Sequence, residues 1–176
     1  MIKFINLNES HFKLLLRWLE SPHVKRWWDD DIIWNAELIK EKYQTYVEGY
    51  KILKLKSGEV IRKPINGLII IYEETPTGYI QYYDKDDFPS QYQSNDISKP
   101  CAALDYYIGE VDCIGKGIGP EVLKLFIKDV IPKKFSHVFV APEIDNIAAI
   151  RAYEKAGFLN VTNEKKGKVI FMIRSK

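Results

Sequence analysis

The chain has 176 residues, 46% of them hydrophobic and 28% charged, a composition that supports one domain over 1–176 with its own core and lacks the low-hydrophobicity, high-charge bias of disorder. Its formal charge of +2 argues against a nucleic-acid partner, and no apolar run approaches the roughly 20 residues that cross a bilayer. The opening MIKFINLNESHFK lacks the apolar block and small-residue cleavage site of a leader, so a soluble cytoplasmic protein without a membrane partner is expected.

Residues 2–7 read as a strand, and Asn8 as the N-cap of a helix in which Phe12, Leu15, Leu16 and Leu19 recur at helical spacing until Pro22 ends it. Residues 23–34 form an aromatic and acidic loop. A second amphipathic helix runs from near Asn35 to about Gly49, with Leu38, Ile39, Tyr43, Tyr46 and Val47 on one side. Residues 50–65 form a short hairpin around Ser57 and Gly58, or an edge extension. The β-rich runs 67–73 and 78–83 make a hairpin whose turn is Thr75, Pro76 and Thr77. Residues 84–100 are polar and read as a long loop. Residues 102–108 read as a strand, 118–131 as a helix halted by Pro132, 137–141 as a strand, and 146–156 as a helix closed by Gly157. Two strands, 158–162 and 168–173, flank a turn at Lys166 and Gly167. The order predicts an α/β sheet covered by helices.

Charge is segregated along the chain, with net values of +1 over 1–83, −5 over 84–112 and +6 over 113–176. Such runs are either solvated surface or a cationic and an anionic ligand meeting opposite regions. Cys101 and Cys113 have no CxxC partner and no spacing that suggests zinc, so neither a disulfide scaffold nor a metal site is expected.

Residues 114–119, Ile-Gly-Lys-Gly-Ile-Gly, follow a strand and open a helix. Glycine there lets a backbone approach closely, the first helical N–H groups have no internal acceptor, and the helix dipole favours an anion. The same turn can also do no more than join strand to helix. It is not a Walker A loop, because Pro120 follows Gly119, and it lacks the GxGxxG spacing of a dinucleotide fingerprint.

The helix beginning at Asn146 contains Ala149, Tyr153 and the closing pair Gly157 and Phe158. With the glycine turn upstream it resembles the acetyl-CoA-binding half of the GNAT N-acetyltransferases, which carry a QxxGxG-like turn and an NxxAxxxYxxxGF helix. Further matches resemble the aminoglycoside 6′-N-acetyltransferase branch: Trp18 with Leu19, Trp27 with Trp28, Gly78 with Tyr79, Gln81, Tyr83, and Leu104 with Asp105. The resemblance implies a GNAT fold, a mixed sheet with two splayed parallel strands at 102–108 and 137–141. It also implies a diphosphate held by Gly115, Lys116, Gly117, Ile118 and Gly119, and further acetyl-CoA contacts from Ile108, Asn146, Ala149 and Tyr153. Ile114 replaces the frequent Arg or Gln at the head of the turn.

By the same resemblance the reaction is direct transfer from acetyl-CoA to a primary amine in a ternary complex, with Asp105 accepting the amine's proton and Tyr153 meeting the departing thiolate. An oxyanion donor is expected among the backbone amides of 106–108. The acceptor is expected to be a small cationic amine, an aminoglycoside 6′-amine by preference and hence a role in antibiotic resistance. Trp27, Trp28, Tyr83, Asp84, Asp96, Asp105 and Glu143 are the substrate-binding candidates, with Asp29, Tyr82, Asp86, Asp87 and Glu110 as further walls and acids. The branch's Asp-Pro pair is Ala141-Pro142 here, which removes one acceptor carboxylate unless Glu143 or Asp145 replaces it. A protein N-terminus, a lysine-like side chain or a siderophore precursor is the other acceptor class, and an acyl-CoA-binding sensor the non-enzymatic one. His11, His23 and His137 share no ligand spacing and read as structural. The pairs Lys133-Lys134 and Lys165-Lys166 suit solvated turns better than the CoA 3′-phosphate. A monomer or a homodimer fits the sequence equally.

Overall fold

The computed structural model describes residues 1–55, 57–88, 100–162 and 168–176. Asp96, the centre of the long polar loop, Lys165 and the turn at Lys166 and Gly167 lie outside the described residues. The chain gathers into two compact units, residues 1–83 with 106–112, and residues 84–105 with 113–176.

In the first unit β1 (Ile2–Asn6) leads into a 3-10 turn, Glu9–His11, capped by Asn8 and His11 in a reciprocal capping box, and then into α1 (Phe12–Leu19). The apolar stripe of α1 buries Leu15, Trp18 and Leu19, each such side chain contributing about 1.5–3 kcal/mol. Pro22 does more than end this segment. It occupies the first turn of a short helix, α2 (Pro22–Lys25), where its fixed φ and missing N–H cost nothing, so the aromatic loop begins later than expected. Asn35 caps α3 (Ala36–Val47) by accepting from the Leu38 amide, and Ile39, Tyr43 and Tyr46 are its buried residues.

A separate two-stranded sheet follows, β2 (Tyr50–Lys54) with β3 (Val60–Pro64), confirming the hairpin around Gly58, whose φ is +86°. Next, β4 (Asn66–Tyr72) pairs with β5 (Thr75–Asp84). The expected turn at Thr75, Pro76 and Thr77 is displaced. Glu73 and Glu74 form it, at φ of 49° and 64°, while Pro76 sits within β5 opposite Ile71 beside the register shift at Ile70/Ile71. That irregularity accommodates a residue with no N–H to donate to the ladder.

In the second unit β6 (Cys101–Ile108), which continues into the first, runs parallel to β7 (His137–Val140). Between them α4 (Ile118–Asp129) buries Val122, Leu123, Phe126 and Ile127. Then α5 (Ile147–Lys155) ends before Gly157 at φ +90°, the left-handed closure expected of that glycine. The last strands are β8 (Leu159–Asn160) and β9 (Met172–Ser175), both antiparallel to a neighbour. The expected final strand over 168–173 is therefore shifted toward the C-terminus. Its apolar run does not mark its own ends, which are set by pairing of Met172 with Val140 and of Ser175 with His137. Hydrogen bonding orders the seven strands β1-β4-β5-β6-β7-β9-β8, a mixed sheet. Among the described residues no helix is long and apolar enough to cross a membrane.

Candidate active site

The parallel ladder between β6 and β7 joins Cys101 to His137, Ala102 to Val138 and Ala103 to Phe139, and among the described residues it goes no further. Leu104 and Asp105 thus lie past the last paired rung. Alternation along the strand puts half-buried Asp105 on the same face as Ala103 and opposite buried Leu104. Its carboxylate therefore stands on β6 beyond the residues that pair with β7, which itself ends at Val140.

The turn before α4 is built for close approach. Gly115 and Gly117 have φ of +76° and +79°, and a Cβ at either would meet nothing within 4 Å. Gly117 is the N-cap of α4 and no side chain caps that end. The amides of Ile118 and Gly119 have no carbonyl one turn back inside the helix, and Pro120 brings no further N–H that would need one. Lys116 is exposed within the turn, and Ile118 is buried behind it. The donor set, the open space and the positive end of the dipole suit a diphosphate.

The other helix end differs. Asn146 Oδ1 accepts from the Ala149 amide at 3.1 Å, so these two expected cofactor contacts are bonded to each other, which leaves the Asn146 Nδ2 hydrogens as the side chain's donors. Tyr153 is buried on α5, edge-on to Phe158 with ring centroids 5.4 Å apart.

In the first unit the loop after α2, the helix α3 and the strand β5 bring rings together with the end of β6. Trp28 stands edge-on to Tyr107 at 4.9 Å and to Tyr79 at 6.0 Å, and Tyr43 edge-on to Tyr79 at 5.8 Å. Tyr79 donates to Gln81 Oε1 at 3.0 Å. By contrast, the hydroxyls of Tyr43 and Tyr107 and the indole N–H of Trp34 are buried with no hydrogen-bond partner. Asp29 reaches this cluster. Burial, then the phenols of Tyr107 and Tyr79 and the Asp29 carboxylate, push the Tyr43 hydroxyl well above the ordinary phenol value, and burial followed by Asp29 does the same to Tyr107. Both are therefore neutral donors. Asp29 itself pairs with Lys42 at 2.6 Å.

The end of β6 is clamped within the same unit. Gly109 and Glu110 both donate through their amides to Thr77 O, His23 Nε2 donates to Ile108 O at 3.1 Å, and Glu110 accepts from Trp18 Nε1 and from Arg17. Ile108, an expected cofactor contact, thus has its carbonyl occupied. Among the other candidates, Trp27 lies under the Arg26 guanidinium at 4.7 Å and takes no part in the ring cluster with Trp28. Tyr83 is buried, Asp84 accepts from the Asp86 amide at the head of a 3-10 turn, and Glu143 is exposed at an isolated bridge to Val169. Sequence reasoning did not single out Trp34, Lys42, Tyr43 and Tyr107, which the structure gathers around Asp29 and Tyr79. Of these, Tyr43 was absorbed as core by the helical stripe of α3 and Trp34 fell in the aromatic loop, while nothing local marks Lys42 or Tyr107.

Residues 8–165 match the family model described as an acetyltransferase (GNAT) domain. Over 174 residues the chain is 20% identical to an aminoglycoside N(6′)-acetyltransferase type 1 of Klebsiella pneumoniae, covering 97% of this chain and 81% of that protein. Among solved structures, aminoglycoside acetyltransferase AAC(6′)-Ib in complex with coenzyme A is similar at a TM-score of 0.78 and 20% identity, with 100% of this chain and 95% of that one covered. An aminoglycoside N(6′)acetyltransferase of Legionella pneumophila gives 0.67 at 22% identity, covering 99% and 91%. Likeness at these identities establishes the shared fold.

Proposed function

Because the chain belongs to the GNAT acetyltransferase family, we propose that it acetylates a primary amine of a small cationic molecule, an aminoglycoside 6′-amine being the specific acceptor, by direct transfer in a ternary complex. The observation that carries this reading is the pair of left-handed glycines opening into the uncapped start of α4.

Acetyl-CoA, the family's co-substrate, supplies an activated thioester carbonyl. The residues that would hold it are Gly115, Lys116, Gly117, Ile118 and Gly119 at the diphosphate, with Ile108, Asn146 and Ala149 along the rest. A thioester needs no covalent relay through the protein, so the chain's task is positioning and proton management. Asp105 accepts the proton of the incoming ammonium, directly or through water, which exposes the nitrogen lone pair. Tyr153 donates to the sulfur as it leaves. A backbone amide in 106–108 donates to the oxygen that gains charge. On the acceptor side Trp28 is a wall for the substrate ring. Trp27, Tyr83, Asp84 and Glu143 are the remaining candidates for acceptor contacts, each on its own unit, with Glu143 a substitute for the carboxylate missing at Ala141.

The deciding experiment measures thiol release by the purified protein with acetyl-CoA and kanamycin-like aminoglycosides, polyamines or N-terminal peptides, alongside calorimetry with coenzyme A. Release with aminoglycosides and a measurable binding heat are expected. Acetylation confined to peptides removes the acceptor assignment, and no binding heat removes the whole reading.

A further inference from the structure

Asp29 would be the natural seat for an acceptor ammonium in the ring cluster, but the chain already supplies one. Lys42 Nζ donates to Asp29 Oδ2 at 2.6 Å, and lies 5.0 Å from the Trp34 ring centroid and 5.5 Å from that of Tyr43. A carboxylate beside aromatic faces is how a cage holds a ligand's cation. Asp29 is held at φ 50°, a left-handed conformation that costs an ordinary residue about 1–2 kcal/mol and Asp somewhat less, so its place in the cage is imposed by its surroundings. Glu20 and Glu110 of this unit are engaged too, with Lys25 and Arg17, while Asp30 and Asp31 are exposed on the loop beside the cage.

What the cluster leaves unsatisfied is of another kind. Tyr43, Tyr107 and Trp34 are 0%, 8% and 6% exposed, and each has an unpartnered O–H or N–H. A buried polar group without a partner costs about 1–3 kcal/mol, which a ligand oxygen would recover. These are neutral donors, and they match hydroxyl groups.

We infer that Lys42 sets acceptor specificity: its own ammonium fills the cation position of an aromatic cage, so the part of the acceptor entering the cluster carries hydroxyl groups and no second ammonium. The identity of the ligand as an acceptor rests on the acetyl-transfer reading, whereas the cage and its occupant do not.

The test uses three probes, 6-amino-6-deoxyglucose and its 2,6- and 3,6-diamino counterparts, in which an ammonium replaces one hydroxyl. Each is titrated against tryptophan fluorescence without acetyl-CoA and assayed for kcat/KM with it. The wild type is expected to favour the monoamine over at least one diamine by about tenfold or more, equivalent to about 1.4 kcal/mol. Lys42→Met should bring that diamine level with the monoamine or ahead of it, while Lys42→Arg keeps the wild-type order. Ratios in Lys42→Met within about twofold of the wild type overturn the inference. So does a wild type that binds both diamines more tightly than the monoamine, a result that needs no variant to fold. Shifted affinities without any acetyl transfer would leave the cage standing and remove the acetyl-transfer reading; transfer without shifted ratios would do the reverse.

Discussion

Asp105 is two residues past the last rung of the β6–β7 ladder, and its carboxylate is the proton acceptor we propose for the reaction. Asp105→Asn keeps shape and volume and removes the basicity. Its kcat is expected to fall by about 10²-fold or more, while the coenzyme A dissociation constant by calorimetry stays within about twofold of the wild type. Loss of coenzyme A binding in this variant would make Asp105 structural. The strand that carries Asp105 and the glycine turn before α4 could be read from the sequence because each belongs to a short contiguous pattern. The Asp29–Lys42 contact could not, since it joins a loop to a helix 13 residues on, and helical periodicity reports which face of α3 is buried without saying what the phenol at its edge meets.

At the level of elements, the start of α4 and the turn of the β4–β5 hairpin both depend on left-handed residues. Gly117→Ala places a Cβ in open space at φ +79°, so its structural cost is strain of about 1–2 kcal/mol. Gly49→Ala carries comparable strain at φ +87°, also with nothing within 4 Å, in the turn after α3. Both should lower Tm by a few degrees. Only Gly117→Ala should weaken coenzyme A binding, by about tenfold or more, because its methyl stands where the diphosphate approaches the amides. Equal effects of the two variants on coenzyme A would show that strain alone is at work. In the hairpin, Glu73 holds φ 49° with a side chain that has no preference for it. Glu73→Asn should raise Tm by about 1–4 °C, since Asn tolerates that region better and brings none of glycine's added chain entropy. The displaced turn was hidden for a physical reason. Pro76 is a strong turn signal, yet a register shift lets a strand contain it, and nothing in two successive glutamates announces a positive φ.

Across the whole molecule, the strands and the capped helices were legible because alternation, caps and Gly or Pro boundaries are local signals, whereas the parallel pair was implied only by the resemblance that the glycine turn and the helix from Asn146 carry. The final strand was not, because its ends are decided by β7. The clamp at the end of β6 is of that long-range kind too, and it gives stability a pH dependence. Burial raises the Glu110 carboxyl, but hydrogen bonds from Arg17 and Trp18 and the Arg17 charge together outweigh it and hold the group below the ordinary glutamate value of 4.5. A carboxylate lowered on folding contributes fully above that value and loses its contribution as pH falls through its folded value. Urea midpoints between about pH 3 and 6 should therefore drop less steeply for Glu110→Gln than for the wild type. Identical slopes would show that the clamp does not contribute. The two cysteines differ in the same global way. Cys101 is buried, which pushes its thiol up to about 12, whereas Cys113 is half-exposed two residues before Gly115. A maleimide fluorophore should accordingly attach at one position on the native protein without any engineering, and its brightness would follow the filling and emptying of the neighbouring glycine turn in real time.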